Sequence, residues 1–216
     1  MKQILINASQ REEVRLAIVE DNKLTELDID LPSKNIKSNI YKGTISRVEP
    51  SLEAAFVNFG RTRHGFLPFK EIAEDIFVPG KSRSARDCIE PGKEIVIQVD
   101  KEERGSKGAA LTTFLSLAGK YLVLLPKNPN TGGVSRRLEG NDRMSAKKLL
   151  SELDIPENMS IILRTSGLDS TKETLEWDMN YLIQIYEQIL ESSVLKKAPF
   201  LIYEESSMLA RVIRDY

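Results

Sequence analysis

Between residues 36 and 113 the chain breaks into short apolar runs separated by glycines, and this punctuation leaves few architectures open. Candidate strands cover residues 40–48, 54–59, 65–67, 94–99 and 109–113. Gly43, Gly60, Gly65, Gly92, Gly105 and Gly108 interrupt them. Several short strands within roughly 80 residues suit a small closed barrel, because closure removes sheet edges that would otherwise pair with other chains. Residues 75–90 are polar and irregular and read as a mobile surface loop.

The flanking segments differ. Residues 1–31 hold three further apolar runs: Ile4-Leu5-Ile6, residues 14–19 and residues 24–29. Glu20-Asp21-Asn22-Lys23 reads as a hairpin turn between the last two. So small a sheet needs a packing partner elsewhere in the sequence. Pro32-Ser33-Lys34-Asn35 marks a boundary. Beyond residue 113, a strand over 121–125 ends at Pro126, and Asn128-Pro129-Asn130-Thr131-Gly132-Gly133 forms a turn-rich loop. Residues 146–153 read as helix and Ile161-Ile162-Leu163-Arg164 as strand. Residues 170–196 form one long helix, because Leu175, Met179, Leu182, Ile183, Tyr186, Ile189 and Leu190 recur at three- and four-residue steps. Pro199 follows its end, and the chain runs on through Phe200-Leu201-Ile202-Tyr203. The predicted class is α+β. The last residues, Arg214-Asp215-Tyr216, carry no cap or polar tail and read as a cut end.

Composition limits the chemistry. No apolar run approaches the roughly 20 residues that span a bilayer. The apolar stretch after Met1-Lys2 is too short for a signal peptide. A single cysteine, Cys88, excludes an internal disulfide framework and suits a reducing cytoplasm. With only one histidine, His64, a zinc site built within the chain is not expected. Net charge is −1, so nucleic-acid binding requires local patches. Lys37, Lys42, Arg47, Arg61, Arg63, Lys101, Arg104 and Lys107 crowd the first half, whereas Glu173, Glu176, Asp178, Glu187 and Glu191 make the long helix acidic.

Single-stranded RNA is held by aromatic faces that stack on unpaired bases and by cations that follow the phosphates. Phe56, Phe66 and Tyr41 are the candidate stackers, and Lys42, Arg63 and Lys107 the candidate phosphate partners. Phe59 and Phe69 are assigned to the core or an edge. His64 could serve as a general base by residue type, but its place before Gly65-Phe66 favours packing or RNA contact. Asp28 and Asp30 alternate on a strand and are read as solvent-facing, not as a metal pair. The run Asn39-Ile40-Tyr41-Lys42-Gly43-Thr44-Ile45-Ser46-Arg47-Val48, followed by Ala54-Ala55-Phe56-Val57-Asn58-Phe59-Gly60, His64-Gly65-Phe66-Leu67-Pro68 and Pro91-Gly92-Lys93-Glu94, resembles an S1-type RNA-binding domain, an OB-fold barrel.

The resemblance extends along essentially the whole chain. Asp100-Lys101-Glu102-Glu103-Arg104-Gly105-Ser106-Lys107-Gly108, Glu49-Pro50-Ser51-Leu52-Glu53-Ala54-Ala55-Phe56-Val57 and Gly132-Gly133-Val134-Ser135-Arg136-Arg137 are similar to the ribonuclease E/G family, on its E side. That resemblance implies an RNase H-like subdomain begun by residues 1–34 and resumed at 210–216, interrupted by an S1 domain at 35–113 and a 5′-sensor domain at 114–209. It implies that Gly119, Val123, Arg164 and Thr165 bind the 5′-terminal monophosphate and its nucleotide. A guanidinium fork matches phosphate oxygens, and a neighbouring hydroxyl adds a further bond. Arg136 and Arg137 would extend the basic surface.

The resemblance further implies a parent endoribonuclease that cuts single-stranded A/U-rich RNA in mRNA decay and in rRNA and tRNA processing. Its two magnesium-holding aspartates and a Cys-Pro-x-Cys zinc link lie beyond residue 216 on this reading, so no catalytic or metal residue is assigned here, and Cys88 is incidental. The parent is expected to be a cytoplasmic homotetramer, peripheral at the inner membrane in some members, with degradosome proteins as partners. Two alternatives are a non-catalytic S1-type RNA-binding protein and a translation-associated S1 protein. The long 114–209 segment and the Arg164-Thr165 match argue against the second.

Overall fold

A computed structural model describes residues 2–10, 13–30, 35–73, 76, 89–128, 131–206, 210 and 212. Cys88, most of the 75–90 loop and the side chains of Asp28 and Asp30 lie outside the described set. The chain forms two compact units, one from residues 1–36 with 205–216, the other from residues 37–204.

In the first unit, β1 (Lys2–Asn7), β2 (Val14–Glu20) and β3 (Lys23–Asp30) make an antiparallel meander. Ile4 faces Ile18, and Ala17 faces Leu27. Asp21 and Asn22 both take positive φ, 48° and 62°, as a two-residue hairpin turn of this hand requires. One sheet face buries Leu16 and Ile18 against Ile4, Val14 and Val212, a residue from the far end of the chain.

The second unit begins with β4 (Ile40–Glu49), β5 (Ala54–Asn58), β6 (Gly65–Pro68), β7 (Glu94–Lys101) and β8 (Ala110–Thr112). They close in the order β4-β5-β6-β8-β7 and back to β4. This is the five-stranded barrel expected from the glycine punctuation. Every pairing is antiparallel except β6 with β8, where Phe66 faces Ala110. That parallel junction needs two glycines. A Cβ on Gly65 would lie 2.3 Å from Leu111 Cδ1, and one on Gly108 would lie 2.2 Å from the His64 carbonyl oxygen. Alternation sends Ile45, Val57, Leu67, Ile97, Val99 and Leu111 inward.

The chain continues through β9 (Leu117–Ala118), β10 (Leu122–Pro126), β11 (Gly133–Val134), α1 (Gly140–Ser151), β12 (Met159–Leu163), α2 (Lys172–Leu195) and β13 (Phe200–Tyr203). The four-stranded sheet has the order β11-β12-β10-β9. Helix α1 starts earlier than the apolar pattern predicts, because its first turn is polar and exposed and only Ala146 is buried. Helix α2 starts at Thr171, whose hydroxyl accepts the Thr174 N–H at 3.3 Å. Its inner stripe, Leu175, Met179, Leu182, Tyr186 and Ile189, packs in one core with Leu122, Leu124, Ile161 and Leu163. Its outer face carries Trp177 and Tyr181, stacked at 5.8 Å. The last strand, β13, pairs with the barrel strand β4, setting Phe200 opposite Lys42. Among the described residues no helix is long and apolar enough to cross a membrane.

Candidate nucleic-acid interface

On the barrel, Phe56 and Phe66 are half-buried cross-strand partners pointing outward, because Ala55, Val57, Gly65 and Leu67 take the inward positions. Their rings meet edge to face, with centroids 5.9 Å apart and planes at 71°. The Arg47 guanidinium stands 4.7 Å from the Phe56 ring centroid and bonds Glu49 at 3.0 Å. The register of β4 against β5 shifts between Ile45 and Arg47, which makes Ser46 the bulged residue. Ser46 Oγ donates to the Phe56 carbonyl at 3.0 Å and lies 2.8 Å from His64 Nδ1. Exposed Arg63 donates to the Gly105 carbonyl, in the hairpin that presents Arg104 and Lys107. The outward side therefore gathers aromatic edges and cations, as single-strand binding requires. Arg47, Ser46 and Arg104 were not among the candidates. Sequence spacing does not reveal a bulge, and the bulge aims Ser46.

Two candidates move. Tyr41 is not an open stacker. It is 6% exposed inside the barrel, with its ring edge-on to Phe59 at 5.2 Å. Residue 41 is flanked by strands on both sides, Ile97 on β7 and Leu201 on β13. Nor is Lys42 an open phosphate cation. Its ammonium bonds the Glu94 carboxylate at 2.6 Å and the Lys196 carbonyl at 2.8 Å. Glu94 also accepts the Ala198 N–H at 2.9 Å. The Lys42 hydrogen bond first, and the Ala198 N–H second, hold the Glu94 carboxyl below its ordinary value. Lys42 thus ties the barrel to the segment following α2.

The second candidate site surrounds the turn between β9 and β10. Val123 sits opposite both Ala118 and Ile162, and Arg164 continues the strand that carries Ile162. Leu122, Leu124, Ile161 and Leu163 face the core, so Val123 and Arg164 share the other face, both half-buried. Arg164 Nη1 donates to the Gly119 carbonyl and, at 3.3 Å, to the Lys120 carbonyl. Ser166 Oγ donates to the same Lys120 carbonyl at 2.6 Å. Thr165 is exposed, at the start of the 3-10 turn Thr165–Gly167. The structure thus brings together Gly119, Val123 and Arg164, with Thr165 next in sequence to Arg164.

Asp178 organises this turn from behind. The sequence groups it with the acidic surface of α2; the structure buries it to 2% exposure. Its carboxylate accepts the N–H groups of Lys120 at 3.2 Å, Tyr121 at 2.9 Å and Leu122 at 2.9 Å. A Cβ on Gly119 would lie 2.5 Å from Asp178 Oδ2, so the missing side chain is the space that the carboxylate fills. One signal was readable: Asp178 directly precedes Met179 of the inward stripe.

Comparison with known proteins covers both regions of the chain. Residues 34–114 match the S1 RNA binding domain, and residues 116–216 match the Ribonuclease E/G family. The chain is 51% identical to ribonuclease E of Escherichia coli over 221 aligned residues that cover all of this chain and 21% of that protein. It is 52% identical to ribonuclease E of Haemophilus influenzae, covering 24% of it. The match to ribonuclease E runs along the whole of this chain. Ribonuclease G of Haemophilus influenzae is more distant, 33% identical over 99% of this chain and 45% of its own length. The chain spans less than a quarter of the two ribonuclease E relatives.

Among the described residues, no three His, Cys, Asp or Glu side chains converge as ligands. The groups gathered at the two sites offer hydrogen bonding, stacking and charge.

Proposed function

We propose that this chain is the RNA-binding and 5′-monophosphate-sensing part of an endoribonuclease that cleaves single-stranded A/U-rich RNA in mRNA decay and in rRNA and tRNA processing. The observation that carries the reading is the convergence of Gly119, Val123 and Arg164 on one turn, in a chain whose barrel offers Phe56 and Phe66 outward. Residues 114–209 act as the sensor and residues 35–113 as the S1 grip. Residues 1–34 and 210–216 belong to an RNase H-like subdomain, a reading supported by the packing of Val212 on Leu16 and Ile18.

The proposed recognition follows from the groups present. The Arg164 guanidinium is aligned by two carbonyls of the Gly119–Lys120 turn, and the Thr165 hydroxyl stands next to it in sequence. A terminal monophosphate receives charge-assisted bonds there, whereas a triphosphate adds bulk and charge that the site does not match. Phe56 and Phe66 stack on downstream bases, while Arg63 and Lys107 follow the backbone. Cleavage belongs to aspartates and magnesium of the parent outside these residues, and its zinc links protomers of a homotetramer. The parent is cytoplasmic and recruits degradosome proteins elsewhere.

The test is fluorescence anisotropy of this chain with a short A/U-rich RNA bearing a 5′ monophosphate or a 5′ hydroxyl. Tighter binding of the monophosphate, without cleavage, is expected. Equal binding removes the sensor and leaves only the S1 grip.

A further inference from the structure

His64 is the one histidine, and the recognition described above does not use it. It immediately precedes β6, whose first residue, Gly65, points inward, and it lies on the side of the barrel that Phe66 faces, where its ring meets Ser46. The ladder of β5 with β6 sets Phe56 across from Phe66 and ends at Val57 and Gly65, next to His64. The imidazole is therefore the next side chain along the aromatic face, and it is exposed.

Its proton is fixed by counting hydrogens. The Phe56 carbonyl can only accept. Ser46 Oγ has one hydrogen, and it lies 3.0 Å from that carbonyl. Were the hydroxyl to donate to His64 instead, two oxygen lone pairs would face each other across that gap. The hydroxyl therefore donates to Phe56, and the 2.8 Å contact with His64 Nδ1 is an Nδ1–H donating to Ser46. A neutral imidazole so bonded leaves Nε2 as an acceptor.

That acceptor stands among donors. Arg47, Arg63, Arg104 and Lys107 can only donate. The nearby side-chain acceptors are engaged: Glu49 with Arg47 at 3.0 Å, and Asn58 Oδ1 with the Gly60 N–H at 3.1 Å. Donors suit phosphates and the carbonyl edges of uracil and guanine. An acceptor suits the exocyclic amino group of adenine or cytosine. We infer that His64 Nε2, the acceptor nitrogen of the neutral ring when Nδ1–H donates to Ser46, forms a base-edge subsite that reads an exocyclic amino group on a nucleobase stacked at Phe56 and Phe66.

The inference rests on the RNA-binding reading, and the probes separate the two. The probes are 5′-hydroxyl decamers of adenosine and of purine riboside, which lacks only the amino group, so the terminal phosphate plays no part. The unaltered chain is expected to bind the adenosine strand about fivefold tighter, as one net hydrogen bond implies. His64→Ala brings the ratio to one. His64→Gln, which retains an acceptor, keeps part of it. Ser46→Ala lowers the ratio by freeing the tautomer. Equal binding of both strands by the unaltered chain, or a ratio that survives His64→Ala, overturns the subsite. Failure of both strands to bind overturns the RNA-binding reading itself.

Discussion

On the barrel, Phe56 and Phe66 stand outward from strands whose opposite side is core, with His64 just before β6, and they meet their neighbours through a ring edge, the Arg47 guanidinium over Phe56 and the His64–Ser46 hydrogen bond. At the Gly119–Leu122 turn, Arg164 and Asp178 grip the same backbone from two sides, one by its carbonyls and the other by its N–H groups. The barrel site is added to a fold that closes without it. The turn site is part of what holds its fold. Substitution should therefore separate binding from stability on the barrel and join them at the turn.

The largest expected effect tests that join. Asp178→Ala leaves three N–H donors without their acceptor, that of Leu122 buried and those of Lys120 and Tyr121 part-buried, and should destabilise the chain by about 3–5 kcal/mol. Urea unfolding followed by circular dichroism checks this. A loss below about 1 kcal/mol would mean that the turn holds itself. Phe56→Ala should do the opposite: unfolding nearly unchanged beside Asp178→Ala, but affinity for any single-stranded RNA down by roughly tenfold, the value of a stacked base. Equal damage to stability and binding at Phe56 would erase the distinction between the sites.

The same distinction explains what was legible in the sequence. The barrel strands, the Asp21-Asn22 turn and helix α2 are local patterns of alternation, turn chemistry and helical period, and the structure has them close to the expected bounds. β9 and β11 are two residues each, too short to show a period. β13 exists because β4 offers it an edge, and no local pattern in Phe200-Leu201-Ile202-Tyr203 announces that. The misread residues depend on such distant partners. Lys42 looks like a surface cation until β13 brings Lys196 and Ala198 beside it and Glu94. Asp178 looks like surface charge until the Lys120–Leu122 amides meet it. The outward position of Phe56 and Phe66 was readable because their surroundings are their own strands.

Arg164→Lys sharpens the comparison from the turn side. Lysine keeps the charge but loses the fork that spans the Gly119 and Lys120 carbonyls and matches a phosphate. The preference for 5′-monophosphate over 5′-hydroxyl RNA should fall by about tenfold, with barrel-driven binding of the hydroxyl strand retained. The two lysines then divide the barrel. Lys107→Ala should reduce the slope of log affinity against log salt by about one counterion. Lys42→Ala should leave that slope unchanged and lower the unfolding midpoint. A salt slope that falls equally for both would restore Lys42 as a phosphate contact.

The smallest effect concerns the partner of Lys42. Because Lys42 and the Ala198 N–H hold the Glu94 carboxyl below its ordinary value of 4.5, the folded state binds that proton less readily than the unfolded state. The contribution is fully present above that ordinary value and fades as pH falls through the lower folded-state value. Glu173 is also held low, by its own backbone N–H and by the Thr171 hydroxyl at the start of α2, so it titrates in the same acid window. It does so equally in a Glu94→Gln variant and cancels in the comparison. The unfolding midpoints of the unaltered chain and Glu94→Gln should therefore differ at pH 6 and converge towards pH 3. A difference that persists at pH 3 would assign Glu94 a packing role, and the tie between barrel and helix would then rest on the Lys42 contact with the Lys196 carbonyl.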